Sequence, residues 1–308
     1  MSRVLITGAA GFIGSHLVHS FVKEGAQVRA FDNLSSGHLE NLEGVRDRIE
    51  FIEGDVQDSD ATLAACRDVD YVFHEAAIPS VPKSVADPLG TDGPNLRGTL
   101  QMLEAARKAG VKRFMFAASS AAYGNNPVLP KREDMIPEPV SPYAVQKVAS
   151  ELYMSSYAQV FGLETVALRY FNIFGARQDP SSQYSGVLAR FISLMSSNES
   201  PTIFGDGETS RDFTHVDNVV QANMLAAKAP SSVSGGIYNI ATGQRVTLNH
   251  AFEAISSVMG FQGKPNYLPE RVGDIRHSVA DITRAQDKLG YRVSVSFEQG
   301  LAKMLGEV

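Results

Sequence analysis

Tyr143 and Lys147 stand four residues apart in Tyr143-Ala144-Val145-Gln146-Lys147, so on a helix a phenol and an ammonium share one face. Ser141-Pro142 immediately before them reads as a helix start. A phenol with its ordinary pKa near 10 is a poor base at neutral pH, and lowering it by about three units takes ~4 kcal/mol of preferential stabilisation of the phenolate. Lys147 supplies one positive charge for that purpose. Upstream, the run Phe116-Ala117-Ala118-Ser119-Ser120-Ala121-Ala122-Tyr123-Gly124 leaves an apolar strand through a turn of small residues. The Ser119 hydroxyl there can bond a reacting oxygen. Taken singly, Y-x-x-x-K is commonplace and Ser119 is a loop serine.

A second constellation opens the chain. Thr7-Gly8-Ala9-Ala10-Gly11-Phe12-Ile13-Gly14 joins a strand to a helix with the spacing G-x-x-G-x-x-G. Gly8, Gly11 and Gly14 let the backbone turn tightly and approach a pyrophosphate at the helix N-terminus, which Phe12 and Ile13 open. Asp32 ends the second strand, where a carboxylate accepts hydrogen bonds from the adenosine ribose hydroxyls and repels a 2′-phosphate. NAD is therefore favoured over NADP, and a nicotinamide cation is the second charge the phenol needs. The plainer alternative makes Asp32 a turn residue of Asp32-Asn33-Leu34-Ser35-Ser36-Gly37. Asp55, in Glu53-Gly54-Asp55-Val56 after the third strand, is either a contact for the adenine edge or a helix N-cap.

Positioning these groups requires a particular scaffold. Short apolar runs recur at Val4 to Ile6, Val28 to Phe31, Ile49 to Ile52, Tyr71 to Phe73, Phe114 to Ala117 and Thr165 to Tyr170, with helical patterns between them. Ile13, Leu17, Val18, Phe21 and Val22 mark one helix; Leu100, Leu103 and Ala106 with the Gly110 stop mark another. The class is α/β, a doubly wound parallel sheet covered on both faces. From about Asn172 the pattern breaks into short pieces, which points to a smaller mixed α/β substrate domain at the carboxyl edge of the sheet. The expected division is 1–171 for the dinucleotide and 172–308 mainly for substrate, with about 212–240 returning to the first domain.

The 308 residues are 44% apolar and 20% charged, with a net charge of −6, a pI near 5.7 and a mean hydropathy of −0.10. These values describe an ordinary globular chain without the field that attracts a polyanion, so no nucleic-acid partner is expected. The single cysteine, Cys66, has no partner for an internal disulfide and sits in an apolar helical stretch. Met1-Ser2-Arg3 leads straight into the strand-like Val4-Leu5-Ile6 without a signal-type apolar core, and no run of about 18 apolar residues appears, so neither secretion nor a membrane span is expected and a cytoplasmic setting is.

Glycine turn, acidic strand end, serine strand end and Y-x-x-x-K in this order are far more specific than any one of them. From Gly8 to about Leu301 the chain resembles the extended short-chain dehydrogenase/reductases, and among them the UDP-galactose and UDP-N-acetylglucosamine 4-epimerases. Matching segments include Asp32-Asn33-Leu34, His74-Glu75-Ala76-Ala77, Asn95 before Gly98-Thr99-Leu100, Ser141-Pro142-Tyr143 and Leu168-Arg169-Tyr170-Phe171-Asn172. Further on come Ile203-Phe204-Gly205-Asp206-Gly207, Ser210-Arg211-Asp212-Phe213, Val216-Asp217-Asn218 and Gly273-Asp274-Ile275-Arg276-His277-Ser278.

The resemblance implies Ser119, Tyr143 and Lys147 as the catalytic triad. NAD would be held by the glycine turn with Asp32, Asn33, Asp55, Val56, Ala76, Asn95, Tyr143 and Lys147. It implies Asn172, Arg211, Arg271 and Asp274 on the nucleotide diphosphate, Phe204 near uracil and Ser278 beside the sugar's C2 substituent. A guanidinium fork suits a pyrophosphate; without the motif each arginine reads as a surface ion-pair former. Pro79 stands where some galactose epimerases carry a substrate lysine; Lys83 either compensates or is simply solvated. The family also implies a helix-mediated homodimer.

The implied reaction passes the C4 hydroxyl proton to Tyr143, with Ser119 bridging, and the C4 hydride to NAD. The resulting 4-keto sugar rotates and takes the hydride back on its other face. Dehydratases and decarboxylases of this fold carry acids just after the catalytic Ser or Thr; here those places are Ser120 and Ala121. UDP-glucuronate 4-epimerisation needs only a cation for the sugar carboxylate, for which Lys83 or Arg276 would serve. A cofactor-sensing protein without turnover would typically lack the tyrosine.

Overall fold

The computed structural model describes residues 2–178, 186–270 and 276–306. β1 (Arg3–Thr7) runs into the glycine turn and α1 (Phe12–Lys23), followed by β2 (Gln27–Asp32), β3 (Ile49–Glu53), α2 (Ser59–Cys66) and β4 (Tyr71–His74). Two short helices, α3 (Val81–Ala86) and α4 (Pro88–Asp92), lead through a π-helical turn into α5 (Gly98–Ala109). Then come β5 (Arg113–Ser119), α6 (Pro142–Ser156) and β6 (Glu164–Tyr170). Gly110, at φ 73°, closes α5 in the left-handed conformation that glycine adopts without strain.

The chain then becomes fine-grained. β7 (Ile173–Phe174), α7 (Val187–Ser196), β8 (Thr202–Phe204), β9 (Ser210–Arg211) and β10 (Thr214–His215) precede α8 (Val216–Lys228) and β11 (Gly236–Ile240). β12 (Val246–Thr247), α9 (Leu248–Met259), β13 (Asn266–Leu268), α10 (Thr283–Leu289) and α11 (Phe297–Gly306) complete it.

Seven strands form one parallel sheet in the order β11-β6-β5-β4-β1-β2-β3. The six apolar runs of the sequence all lie in it, each extended by one to three residues. The seventh strand, β11, comes from the stretch after 212 and pairs with β6 from Gly236↔Val166 to Ile240↔Tyr170. β5 and β6 are buried almost along their length because helices cover both faces. On one face α1 and α8 bury Leu17, Val18, Val219 and Ala226; on the other α2, α5 and α6 bury Cys66, Leu103 and Met154. A separate core gathers Phe191, Phe252, Ile255 and Leu301 from α7, α9 and α11.

The strand order reverses between β1 and β4, so their carboxyl ends diverge and leave the crevice where ligands bind in such sheets. Among the described residues no helix is long and apolar enough to cross a membrane.

Candidate active site

The crevice is floored by the glycine turn. Gly8 takes φ 65°, and a Cβ there would lie 2.8 Å from the Ala76 amide nitrogen. A Cβ at Gly14 would fall 2.0 Å from the Gly8 carbonyl oxygen. The turn is thus packed backbone to backbone, and Ala76 holds it from above while its N–H donates to Thr7 Oγ1 at 3.3 Å. Gly11 caps α1 without a side chain over the helix end, and the first turn, opened by Phe12 and Ile13, contains no acid. The positive end of the helix dipole therefore faces the crevice uncompensated, which suits a pyrophosphate.

Asp32 is buried at the end of β2, where Oδ2 accepts from Ala10 N at 2.9 Å and Oδ1 from Leu34 N at 2.8 Å. It braces the glycine turn against the next loop and retains acceptor capacity for ribose hydroxyls. Asn33 donates to Asp55 Oδ2 at 2.9 Å, while Asp55 Oδ1 accepts from Gln57 N at 2.8 Å. Against partial burial, these bonds hold the Asp55 carboxyl below its usual range. The N-cap alternative for Asp55 is overturned: α2 is capped by Asp58, whose carboxylate accepts from Asp60 N and Ala61 N. Val56 is buried against Gly98.

Asn95 departs from a simple cofactor contact. Fully buried, it accepts from Ile78 N at 2.7 Å and donates to Ile78 O at 3.2 Å and Gln146 Oε1 at 2.8 Å. Both ends of its amide are engaged inside the protein, so it acts by tying the loop after β4 to α6.

Helix α6 starts where the sequence places it, with Ser141 Oγ accepting from Ala144 N at 3.2 Å and Pro142 at its first position. The Tyr143 amide donates to Ser84 Oγ at 3.1 Å, fixing the first turn of α6 to α3. One turn on, Lys147 is 3% exposed. Its Nζ donates to Ala117 O at 2.7 Å and lies 4.7 Å from the Phe116 ring centroid and 5.9 Å from that of Tyr143. Ser119, ending β5, accepts from Ala121 N at 3.2 Å. Burial pushes the Tyr143 phenol above its usual value, and a hydrogen bond with Ser119 works the other way. Burial also pulls Lys147 down to about 8, opposed by Glu75 and Glu151. Phenol, hydroxyl and ammonium converge at the carboxyl ends of β4 and β5, in the crevice.

The remaining candidates lie on α3 and on the segments that follow β6. Asn172, with φ 40°, donates to Asp212 O at 3.1 Å, beside Arg211. Arg211 Nη1 donates to Ser210 O at 2.9 Å, and Ser278 N donates to the same carbonyl at 3.1 Å. Asn172, Arg211 and Ser278 are thereby joined through residues 210–212. Phe204 ends β8, half-buried and paired with Leu268. Lys83 is exposed on α3. Arg271 and Asp274 lie outside the described residues.

Sequence reasoning missed three supports. Ser84 positions Tyr143 from α3. Asp212, fully buried, accepts from Thr242 N, Thr242 Oγ1, Gly243 N and Ala280 N at 2.6–3.1 Å, and so fixes the segment that carries Ser278. Glu75 accepts from Tyr170 Oη at 2.9 Å. Asp212 and Glu75 lie within Ser210-Arg211-Asp212-Phe213 and His74-Glu75-Ala76-Ala77, but the partners they hold are distant in the chain.

Comparison with known proteins agrees with this geometry. Residues 4–241 match the NAD dependent epimerase/dehydratase family. A UDP-glucose 4-epimerase of Mycolicibacterium smegmatis is 39% identical over 98% of this chain and 96% of its own. The fold superimposes on a UDP-N-acetylglucosamine 4-epimerase from Methanobrevibacter ruminantium, in complex with UDP-N-acetylmuramic acid. There the TM-score is 0.94 and identity 42%, covering 99% of this chain and 97% of that one. A UDP-glucose 4-epimerase from Thermotoga maritima with UDP-glucose gives a TM-score of 0.93 at 40% identity over 99% and 97%. With more than three quarters of its length matched by the family and relatives near 40% identical over almost the whole chain, the chain belongs to the NAD dependent epimerase/dehydratase family.

Proposed function

We propose that the protein inverts C4 of UDP-hexoses and UDP-N-acetylhexosamines through a transient 4-keto sugar. The observation that carries this reading is the site's pairing of Tyr143 and Ser119 above buried Lys147, with no carboxylate in the turn Ser120–Tyr123 that follows. Dehydration and decarboxylation need such a carboxylate as acid or base.

NAD, when bound, supplies the reversible hydride acceptor and a positive charge near the phenol. The protein's own part is proton handling and orientation. Ser119 bridges the C4 hydroxyl to Tyr143, which accepts its proton. Lys147, anchored on Ala117 O, holds positive charge beside the phenolate and would help hold the nicotinamide ribose when NAD is bound. Asp32 selects the ribose without a 2′-phosphate. Asn172, Arg211, Arg271 and Asp274 receive the diphosphate, Phe204 lies along the uracil, and Lys83 borders the sugar. Arg276 bonds Asp206 at 2.8 Å and lies 3.7 Å from Glu270, so its charge is already matched. That leaves Lys83, exposed on α3, as the candidate cation for a hexuronate carboxylate.

The pure protein, incubated with a panel of UDP-hexoses, UDP-N-acetylhexosamines and UDP-hexuronates, should yield the C4 epimer with no net consumption of NAD. Deproteinised extract should contain the dinucleotide. A dehydrated or decarboxylated product would overturn the reading.

The protein would work as a cytoplasmic homodimer. Val145, Leu152, Tyr153, Val160 and Phe161 line α6 and the turn after it, exposed by 39–69%. Such a stripe along one helix is suited to a helix-to-helix interface. Light scattering should report a dimer, and Leu152→Asp should convert it to a monomer; a monomeric wild type would remove the dimer from the proposal.

A further inference from the structure

The chain between Ser119 and Tyr143 makes a closed excursion. It leaves Ser119 through the turn Ser120–Tyr123 and returns at Ser141, the cap of the helix that carries Tyr143. Its two limbs meet where Glu138 N donates to Ala122 O at 2.9 Å. Beyond that closure, residues 125–137 reach the segment that carries Ser278. There Lys131 N donates to Val279 O and Asp281 N to Lys131 O, both at 2.8 Å, which makes a short parallel bridge between Lys131 and Ala280.

One fully buried side chain holds that bridge to the sheet. Asn239 lies on β11, the edge strand, in register with Arg169 of β6. Its Nδ2 donates to Lys131 O at 2.9 Å and to Asp281 O at 3.1 Å, one carbonyl from each partner of the bridge. Its Oδ1 accepts from Tyr123 Oη at 2.7 Å, in the turn that follows Ser119. Turned over, the amide would set its oxygen against two carbonyls, so this orientation is forced. The Asn239 backbone N–H donates to Glu133 Oε1 at 2.8 Å, a further tie to the excursion. Tyr123 is 2% exposed, and Arg169 Cζ lies 4.7 Å from its ring centroid. Arg169 in turn bonds both oxygens of Glu151 on α6, at 2.8 and 2.7 Å.

We infer that Asn239 is a positioning residue that registers the Ser278 segment against the loop joining Ser119 to Tyr143. The donor end of its amide holds the substrate side, and the acceptor end holds the turn after the catalytic serine. The inference rests on the roles of Ser119, Tyr143 and Ser278 proposed above. The bridge alone is a weak hinge. With the amide in place, Lys131 O accepts from two donors and Asp281 O from one, and the two chain segments cannot slide past each other without leaving buried polar groups unpaired. The gap between Ser119 and Ser278, in which the sugar has to fit, is thereby set at a residue outside both.

The two ends of the amide can be cut separately. Asn239→Asp keeps the acceptor for Tyr123 and loses both donor bonds. KM for a UDP-sugar should rise about fivefold or more while kcat stays within about threefold of wild type. Tyr123→Phe deletes one oxygen and keeps both donor bonds; kcat should fall about two- to tenfold with KM nearly unmoved. Hydrogen exchange at the Lys131 and Asp281 amides should quicken about tenfold or more in Asn239→Asp and not in Tyr123→Phe. Should Asn239→Asp fail to fold, Asn239→Leu combined with Tyr123→Phe makes both partners of the 2.7 Å bond apolar, adds no charge, and carries the same expected rise in KM. A residue that is only structural lowers the folded fraction, so kcat falls and KM does not move in either single variant; that result overturns the inference. If wild type turns over no UDP-sugar, the proposed reaction fails instead. Faster exchange at Lys131 and Asp281 in Asn239→Asp would then leave the clamp standing, and unchanged exchange would remove it as well.

Discussion

The two sides of the crevice are built differently. The catalytic side stands on four- to seven-residue strands of one sheet, where Arg169 and Glu151 pair in full burial and buried Arg113 pairs with Glu164. The facing side hangs on ladders of two or three residue pairs, β9 with β12 and β8 with β13. Its ion pairs, such as Arg276 with Asp206, are about half exposed. Besides its own small apolar core, that side is tied together at Asp212, whose buried carboxylate accepts from residues 242, 243 and 280 and whose backbone carbonyl accepts from Asn172. A stiff sheet end suits chemistry, which tolerates little misplacement of reacting groups. A locally braced face can vary in the sugar it admits without disturbing the proton machinery. The difference predicts that damage on the first side falls on kcat and damage on the second on KM and selectivity.

Tyr143→Phe gives the largest expected effect. It removes one oxygen and leaves the packing of α6, including the Tyr143 amide bond to Ser84. Turnover should fall by about 10²- to 10⁴-fold, the usual contribution of a general base, with the bound NAD in purified protein close to wild type. Retention of more than a tenth of the rate would place the base elsewhere and dissolve the contrast.

Asp212→Asn tests the other side. An amide nitrogen turned toward Thr242 N, Gly243 N or Ala280 N faces donors where a carboxylate faced them, which costs about 1–3 kcal/mol. The segment leading to Ser278 loosens, and KM for the UDP-sugar should rise about five- to fiftyfold while kcat stays within threefold. Equal damage to kcat would show that the two sides are mechanically one.

The parts of this design that could be read in the sequence are those in which spacing is itself the mechanism. Y-x-x-x-K is one helical turn, G-x-x-G-x-x-G is one strand-to-helix bend, and Ser141-Pro142 is one cap; each is complete within a few residues. The six apolar runs became sheet strands because a doubly covered sheet needs nothing subtler than continuous apolar side chains. Ser84, Asp212 and Glu75 escaped because their partners are remote: 59 residues separate Ser84 from Tyr143, 68 separate Asp212 from Ala280 and 95 separate Glu75 from Tyr170. Asn95 was legible as a motif residue but not as a strut, since Gln146 lies 51 residues on. At Asp55 two readings stood open, and the cap went instead to Asp58, three residues on, whose carboxylate accepts from Asp60 N and Ala61 N.

The smallest and most selective effect belongs to Ser278. Its amide is held by Ser210 O at 3.1 Å, and its neighbour His277 bonds Ser210 Oγ at 2.9 Å. Ala280, two residues on, is fixed by Asp212 at 3.1 Å. The backbone at 278 is therefore clamped from both sides, and a larger side chain there cannot be relieved by moving the loop. If this position borders the sugar's C2 substituent, serine leaves room for an N-acetyl group and tyrosine fills it. Ser278→Tyr should depress turnover of UDP-GlcNAc and UDP-GalNAc about tenfold or more, the strain of overfilling a packed site by ~1–3 kcal/mol. UDP-Glc and UDP-Gal should change less than about threefold. Steady-state rates on both pairs, wild type against variant, decide it. Equal loss on both pairs would mean that the clamp itself had been broken, and an unchanged N-acetylated pair would move the gate to another residue of the facing side.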